Sequence, residues 1–211
     1  MSDRQLRAKE IERERLLAIV RLEPARLAVT AARQLVENGI GAIEFSLATE
    51  GGLDALRAAA SELGATKLIG AGTVRTVSDA ERAVDAGACY LVSPHLAWDV
   101  SAWAREHDVL HIPGAFSPTE VAAALDAGEP LVKLFPAGQA GPDYVRDLLK
   151  PFPEARLVAT GGIHPDNARA FLDAGAAALA VGSSLAGARD RASLTRRYLE
   201  VVRETRQDRC Y

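Results

Sequence analysis

With 211 residues, 48% of them apolar, the chain is long enough to bury one full core, and a single domain over 1–211 is expected. The net charge of −3 argues against nucleic acid or an anionic membrane surface as the main partner, and no apolar run approaches bilayer length. The two cysteines, Cys89 and Cys210, give no disulfide framework and the N-terminus has no apolar signal core, so a reduced, cytoplasmic protein is expected.

Residues 1–16 read as a peripheral helix, with capping-box spacing at Ser2 and Gln5 and then Arg and Glu mixed at helical intervals. Short apolar runs alternate with amphipathic stretches from there on. The runs are Leu17–Arg21, Ala42–Leu47, Leu68–Thr73, Tyr90–Ser93, Val109–Ile112, Leu131–Phe135, Leu157–Thr160 and Ala178–Val181. Their starts recur at roughly 20–26 residues, about one βα unit. Gly39, Gly87, Gly128 and Gly175 sit where helices should stop before the next run. Ser78 with Glu81, and Ser117 with Pro118 and Glu120, have the spacing of helix starts. Repeats this even, with no linker between them, predict an α/β fold, a (β/α)8 TIM barrel with an extra N-terminal helix. A doubly wound sheet fits less well, and no Gly-x-Gly-x-x-Gly follows the first strand.

Inward positions alternate along a barrel strand, and chemistry gathers at the strand C-termini. Alternation in the second run turns Ile43, Phe45 and Leu47 to the helices, and Glu44 and Ser46 inward. The sixth run, Leu131-Val132-Lys133-Leu134-Phe135-Pro136, places Leu131, Lys133 and Phe135 inside. Lysines are scarce here (Lys9, Lys67, Lys133, Lys150) against many arginines, and arginine cannot act as an amine nucleophile. A strand-interior ammonium is costly unless it is paired or works as a neutral amine. Glu44 and Lys133 can therefore be a buried ion pair that plugs the barrel, or a nucleophile with a carboxyl group beside it to move protons.

Thr73 ends the third run after Gly70-Ala71-Gly72, whose missing side chains leave room for a ligand. Thr160-Gly161-Gly162 and Gly182-Ser183-Ser184 close the last two strands, the usual phosphate site of such barrels, with Arg21 next to the eighth strand. The four histidines (His95, His107, His111, His164) form no ligand set, and no metal-ligand spacing occurs. Trp98, Trp103 and Tyr144 read as helix packing, and Cys89 as a small buried residue.

As an ordered set, several of these stretches resemble the class I 2-keto-3-deoxy-6-phosphogluconate (KDPG) aldolases, a family that also includes 4-hydroxy-2-oxoglutarate aldolase activity. They are Ile43-Glu44-Phe45-Ser46-Leu47, Ile69-Gly70-Ala71-Gly72-Thr73-Val74, Val92-Ser93-Pro94-His95-Leu96, Ile112-Pro113-Gly114, Val132-Lys133-Leu134-Phe135-Pro136, Thr160-Gly161-Gly162 and Val181-Gly182-Ser183-Ser184. The resemblance runs from about Leu17 to Gly187. It implies a homotrimeric barrel without metal or organic cofactor, acting on small 2-keto acids and aldehydes. By the same resemblance, Lys133 matches the Schiff-base lysine, Glu44 the acid/base and Thr73 a contact to the pyruvate carboxylate. Phe135 and Thr160 match pocket residues, and Gly161, Gly162, Gly182, Ser183, Ser184 and Arg21 the phosphate end. Many members carry arginine where this chain has Ala48, which leaves substrate preference open. Other readings are an aldolase for 4-hydroxy-2-oxoglutarate or the galactonate analogue, a phosphosugar isomerase or synthase barrel without an imine lysine, and a non-catalytic phosphometabolite-binding barrel.

Overall fold

Each predicted apolar run forms a parallel strand in a computed structural model that describes residues 1–207. The side chains at 183, 206 and 207 fall outside that description, as do residues 208–211, and the expectation for Cys210 with them. The strands are β1 (Leu16–Val20), β2 (Ala42–Ser46), β3 (Leu68–Gly72), β4 (Tyr90–Val92), β5 (Leu110–Ile112), β6 (Gly114–Ala115), β7 (Val132–Leu134), β8 (Leu157–Thr160) and β9 (Ala178–Val181). The helices are α1 (Asp3–Glu14), α2 (Ala25–Glu37), α3 (Gly52–Leu63), α4 (Val77–Asp85), α5 (Trp98–Glu106), α6 (Pro118–Asp126), α7 (Ala137–Ala140), α8 (Pro142–Leu149), α9 (Pro165–Asp173), α10 (Ser183–Ala186) and α11 (Arg191–Gln207).

Strand order runs β5-β4-β3-β2-β1-β9-β8-β7-β6. β5 is the predicted fifth strand, and β6 extends it beyond the expected end at Ile112, on the far side of Pro113. Proline has no N–H to give to a ladder, so the strand changes partner there. Leu110–Ile112 pairs with β4, and Gly114–Ala115 pairs with β7. The Pro113 carbonyl still accepts from Lys133 N–H at 2.9 Å, which carries the pairing across the break. The ladder thus goes round the barrel, as the (β/α)8 pattern predicts.

Alternation along the strands sorts the apolar side chains into two layers. Ile43 and Phe45, with Val132 and Leu134, pack outward against the helices, as expected. Leu17, Ile19, Tyr90, Leu110, Leu131 and Val158 fill the interior. The first helix is less peripheral than its Arg/Glu pattern predicts, because its Ala8 and Ile11 enter that interior layer. It is tied down at its start, where Asp108 accepts the Asp3 N–H at 2.8 Å and Arg4 pairs with buried Glu129 at 3.0 Å. The pattern hides this role, since only a narrow stripe of the helix is apolar.

Ser117 forms the predicted capping box with Glu120. The helix start expected at Ser78 lies two residues earlier: Thr76 is extended, its Oγ1 accepts the Asp79 N–H at 3.1 Å, and Ser78 is already helical. Gly39, Gly87, Gly128 and Gly175 all have positive φ, as the helix stops require.

Candidate active site

Strand alternation alone brings Glu44 and Lys133 to the same space. Glu44 is the third residue of β2 and Lys133 the second of β7, and both are buried, at 2% and 7% exposure. Gly72 makes room for the carboxyl group, because a Cβ at position 72 would run into Glu44 Oε1. Lys133 Nζ lies 5.1 Å from the centroid of the Phe135 ring. Among the described residues neither the Glu44 nor the Lys133 side chain makes a hydrogen bond or close ion pair with protein. The plugging ion pair weighed from sequence is therefore not formed. Burial holds the Glu44 carboxyl above its ordinary range, and the charges of Lys133 and Arg21 pull it back in part. A carboxyl group whose proton is held more tightly than usual, beside an amine, can both take and return that proton.

Above the pair opens a cavity of about 490 Å³ at the C-terminal ends of the strands. Arg21, Thr73, Lys133, Phe135 and Thr160 line it, with Gly161, Gly162, Gly182 and Ser184. Phe135 is 41% exposed, the exposure of a lid over the amine rather than of a core residue. Thr160 is buried, its hydroxyl donating to the Val158 carbonyl at 3.1 Å. Glu44 is not at the cavity wall but just beneath it, and the side chain of Ser183 lies outside the described residues.

Thr73 carries a local strain. It is β-branched yet has φ +62°, a conformation costing on the order of 1–2 kcal/mol. Its hydroxyl is 3.2 Å from Ser46 Oγ, so two inward hydroxyls sit together at the cavity edge. The turn is braced from behind. Ser93 Oγ donates to the Val74 carbonyl at 2.6 Å, leaving its oxygen to accept from His111 Nε2 at 2.7 Å, while Ser101 Oγ meets His111 Nδ1 at 2.8 Å. Burial, and then the charges of Arg4 and His95, lower the His111 pKa to about 3, so the ring is neutral.

Gly161 and Gly162 both have positive φ, which presents the turn after β8 to the cavity as bare backbone. A Cβ at either would press on Phe135 or Gly138. Sequence reading missed Ile19, Pro94, Ile163, His164 and Ala180 as cavity residues. The signal for His164 was its place after Gly161-Gly162, where the chain enters α9. His107 is peripheral, stacked on Trp103 at 4.2 Å. Trp98, expected to pack, is 42% exposed, because it starts α5 on the solvent side. Cys89 is partly buried, with its thiol pushed up by burial. Among the described residues no group of His, Cys, Asp and Glu could hold a metal ion, and no helix is long and apolar enough to cross a membrane. Ala48 is exposed in the turn after β2 and supplies no charge.

A closed βα barrel whose strand ends gather an unpaired amine, a buried carboxyl group and two polar turns is an enzyme of the carbonyl-processing kind. Residues 8–196 match the family described as KDPG and KHG aldolase. The 2-dehydro-3-deoxy-phosphogluconate aldolase of Treponema pallidum is 40% identical over 158 residues, 74% of this chain and 75% of that protein. The KDPG aldolase of Zymomonas mobilis ZM4, solved with 3-phosphoglycerate, superposes with a TM-score of 0.82 at 28% identity, over 92% of this chain and 94% of that one. The KDPG aldolase of Legionella pneumophila, captured with pyruvate as a covalent carbinolamine, does so with a TM-score of 0.79 at 26% identity, over 89% and 93%. The chain belongs to the KDPG and KHG aldolase family, and it is a lyase working through a Schiff base.

Proposed function

We propose that the chain reversibly cleaves a phosphorylated 2-keto-3-deoxy sugar acid, KDPG or a close analogue, to pyruvate and a phosphorylated aldehyde such as glyceraldehyde 3-phosphate. The observation that carries this reading is the unpaired Lys133 amine beside a buried carboxyl group, under a cavity with a glycine-lined end. The neutral amine attacks the C2 ketone and forms a carbinolamine, which loses water to a protonated imine. Glu44, directly or through a water, takes the proton of the C4 hydroxyl. The C3–C4 bond then breaks, its electrons pass into the imine, and the aldehyde leaves. The enamine that remains takes the proton back from Glu44 at C3, and hydrolysis releases pyruvate.

Thr73, fixed by its strained turn, holds the pyruvate carboxylate. Arg21, assigned to the phosphate end, also exerts its charge on Glu44. In a chain with Ala48, it is the cation at hand for the carboxylate. Gly161, Gly162, Gly182, Ser183 and Ser184 take the phosphate through backbone N–H and hydroxyl groups. Phe135 and Thr160 shape the walls. The enzyme acts as a cytoplasmic homotrimer in the Entner–Doudoroff route. Exposed aromatic rings at Trp98 and Phe116, 42% and 40% exposed after adjacent strands, support self-association.

Pyruvate release from phosphorylated and unphosphorylated 2-keto-3-deoxy-gluconate and -galactonate, and from 4-hydroxy-2-oxoglutarate, tests this reading. The expected result is preference for a phosphorylated sugar acid, with no loss in EDTA. Release of pyruvate from none of them would overturn it.

A further inference from the structure

Tyr90 holds an inward position of β4 with none of its surface exposed, and its hydroxyl makes no hydrogen bond to protein. Burying a hydroxyl without a partner is unfavourable, and phenylalanine would fill the same space without that cost. Register places Tyr90 in one row with the acid/base residue: Glu44 pairs with Gly70, and Gly70 with Tyr90. Gly70 is what lets the ring lie across this row, because a Cβ there would overlap the ring carbons around Cζ. The polar end of the phenol therefore lies over β3, on the Glu44 side. From the opposite direction the Glu44 carboxyl leans over Gly72, the next inward position of the same strand, about 7 Å along. Two buried polar groups thus converge above a stretch of β3 that has no inward side chain.

We propose that Tyr90 is a positioning residue for the aldolase acid/base, its hydroxyl donating to the Glu44 carboxylate through one bridging water. This rests on the aldolase reading above. The other charges acting on Glu44, those of Lys133 and Arg21, stand at the cavity. The phenol is the donor from the barrel interior. Burial, with the Glu44 charge next and Cys89 after it, keeps the phenol protonated across the working range, so it stays a donor. The link steadies the carboxylate below the cavity floor, from where it must reach both the C4 hydroxyl and the enamine carbon.

Tyr90→Phe removes one oxygen atom and no protein hydrogen bond, so thermal stability should hold or rise. The experiment measures kcat and KM against pH for both forms, with borohydride trapping of pyruvate in parallel. KM and trapping should stay within about twofold, kcat should fall about tenfold, and the acid limb should move up by about one unit, since the carboxylate has lost a donor. An acid limb and kcat that both stay in place would overturn the proposal. So would trapping and melting temperature that fall together with kcat, the mark of a packing role alone. Wild-type protein that traps no pyruvate would sink the aldolase reading itself, and this proposal with it.

Discussion

A carboxyl group costs several kcal/mol to bury in a barrel interior without a partner, and Glu44 is so placed beside an equally unpaired amine. That arrangement stabilises nothing in the resting protein, and it is what proton transfer requires. Glu44→Gln keeps shape and removes the base. It should lower kcat by about 10²–10⁴-fold while pyruvate still forms its imine at Lys133, measurable by steady-state pyruvate release alongside trapping. Wild-type kcat in this variant would remove Glu44 from the mechanism. Lys133 and Glu44 were legible in the sequence because a charge inside an apolar run is an anomaly that alternation can aim. Tyr90 was not, because tyrosine is an ordinary strand residue, and its missing hydrogen-bond partner exists only once Gly70 opens the row. The strain at Thr73 is likewise a backbone property that residue type conceals.

At the scale of elements, the Ser93–His111–Ser101 chain joins β4, β5 and α5 behind the Thr73 turn. Its histidine titrates near pH 3 when folded, below the ordinary value of 6.5. The unfolded chain therefore binds the extra proton first, and the stability held above about pH 6.5 is lost as pH falls toward 3. The whole window is worth on the order of a few kcal/mol. Glu44 and Glu129, held high by burial, tilt the same curve the other way, so the comparison must be with His111→Leu. Wild type should lose more unfolding free energy than the variant between pH 6.5 and 4.5 in denaturant titrations; parallel curves would contradict a neutral buried His111. Strand and helix spacing was legible from period alone, and the capping box at Ser117 from its motif. The start of α4 was misplaced because Thr76 and Ser78 are both competent caps, and only backbone geometry chooses between them. The partner change at Pro113 was hidden for a related reason, since a proline between apolar residues does not say which neighbour each side will pair with.

For the whole molecule, the two apolar layers explain why one chain yields one barrel. Outward residues weld strands to helices, while the interior is filled below by α1 and left open above, where Lys133 and Thr73 meet the cavity. The closed lower end keeps water from the amine on that side, and the open upper end admits the substrate. The central claim is that Lys133 is the covalent nucleophile. Borohydride reduction in the presence of pyruvate, followed by peptide mass mapping, tests it most directly. The account predicts one reduced pyruvate adduct per chain, on the peptide carrying Lys133, and none in Lys133→Ala. An adduct mapped to another lysine, or wild-type protein that stays unmodified, would contradict it.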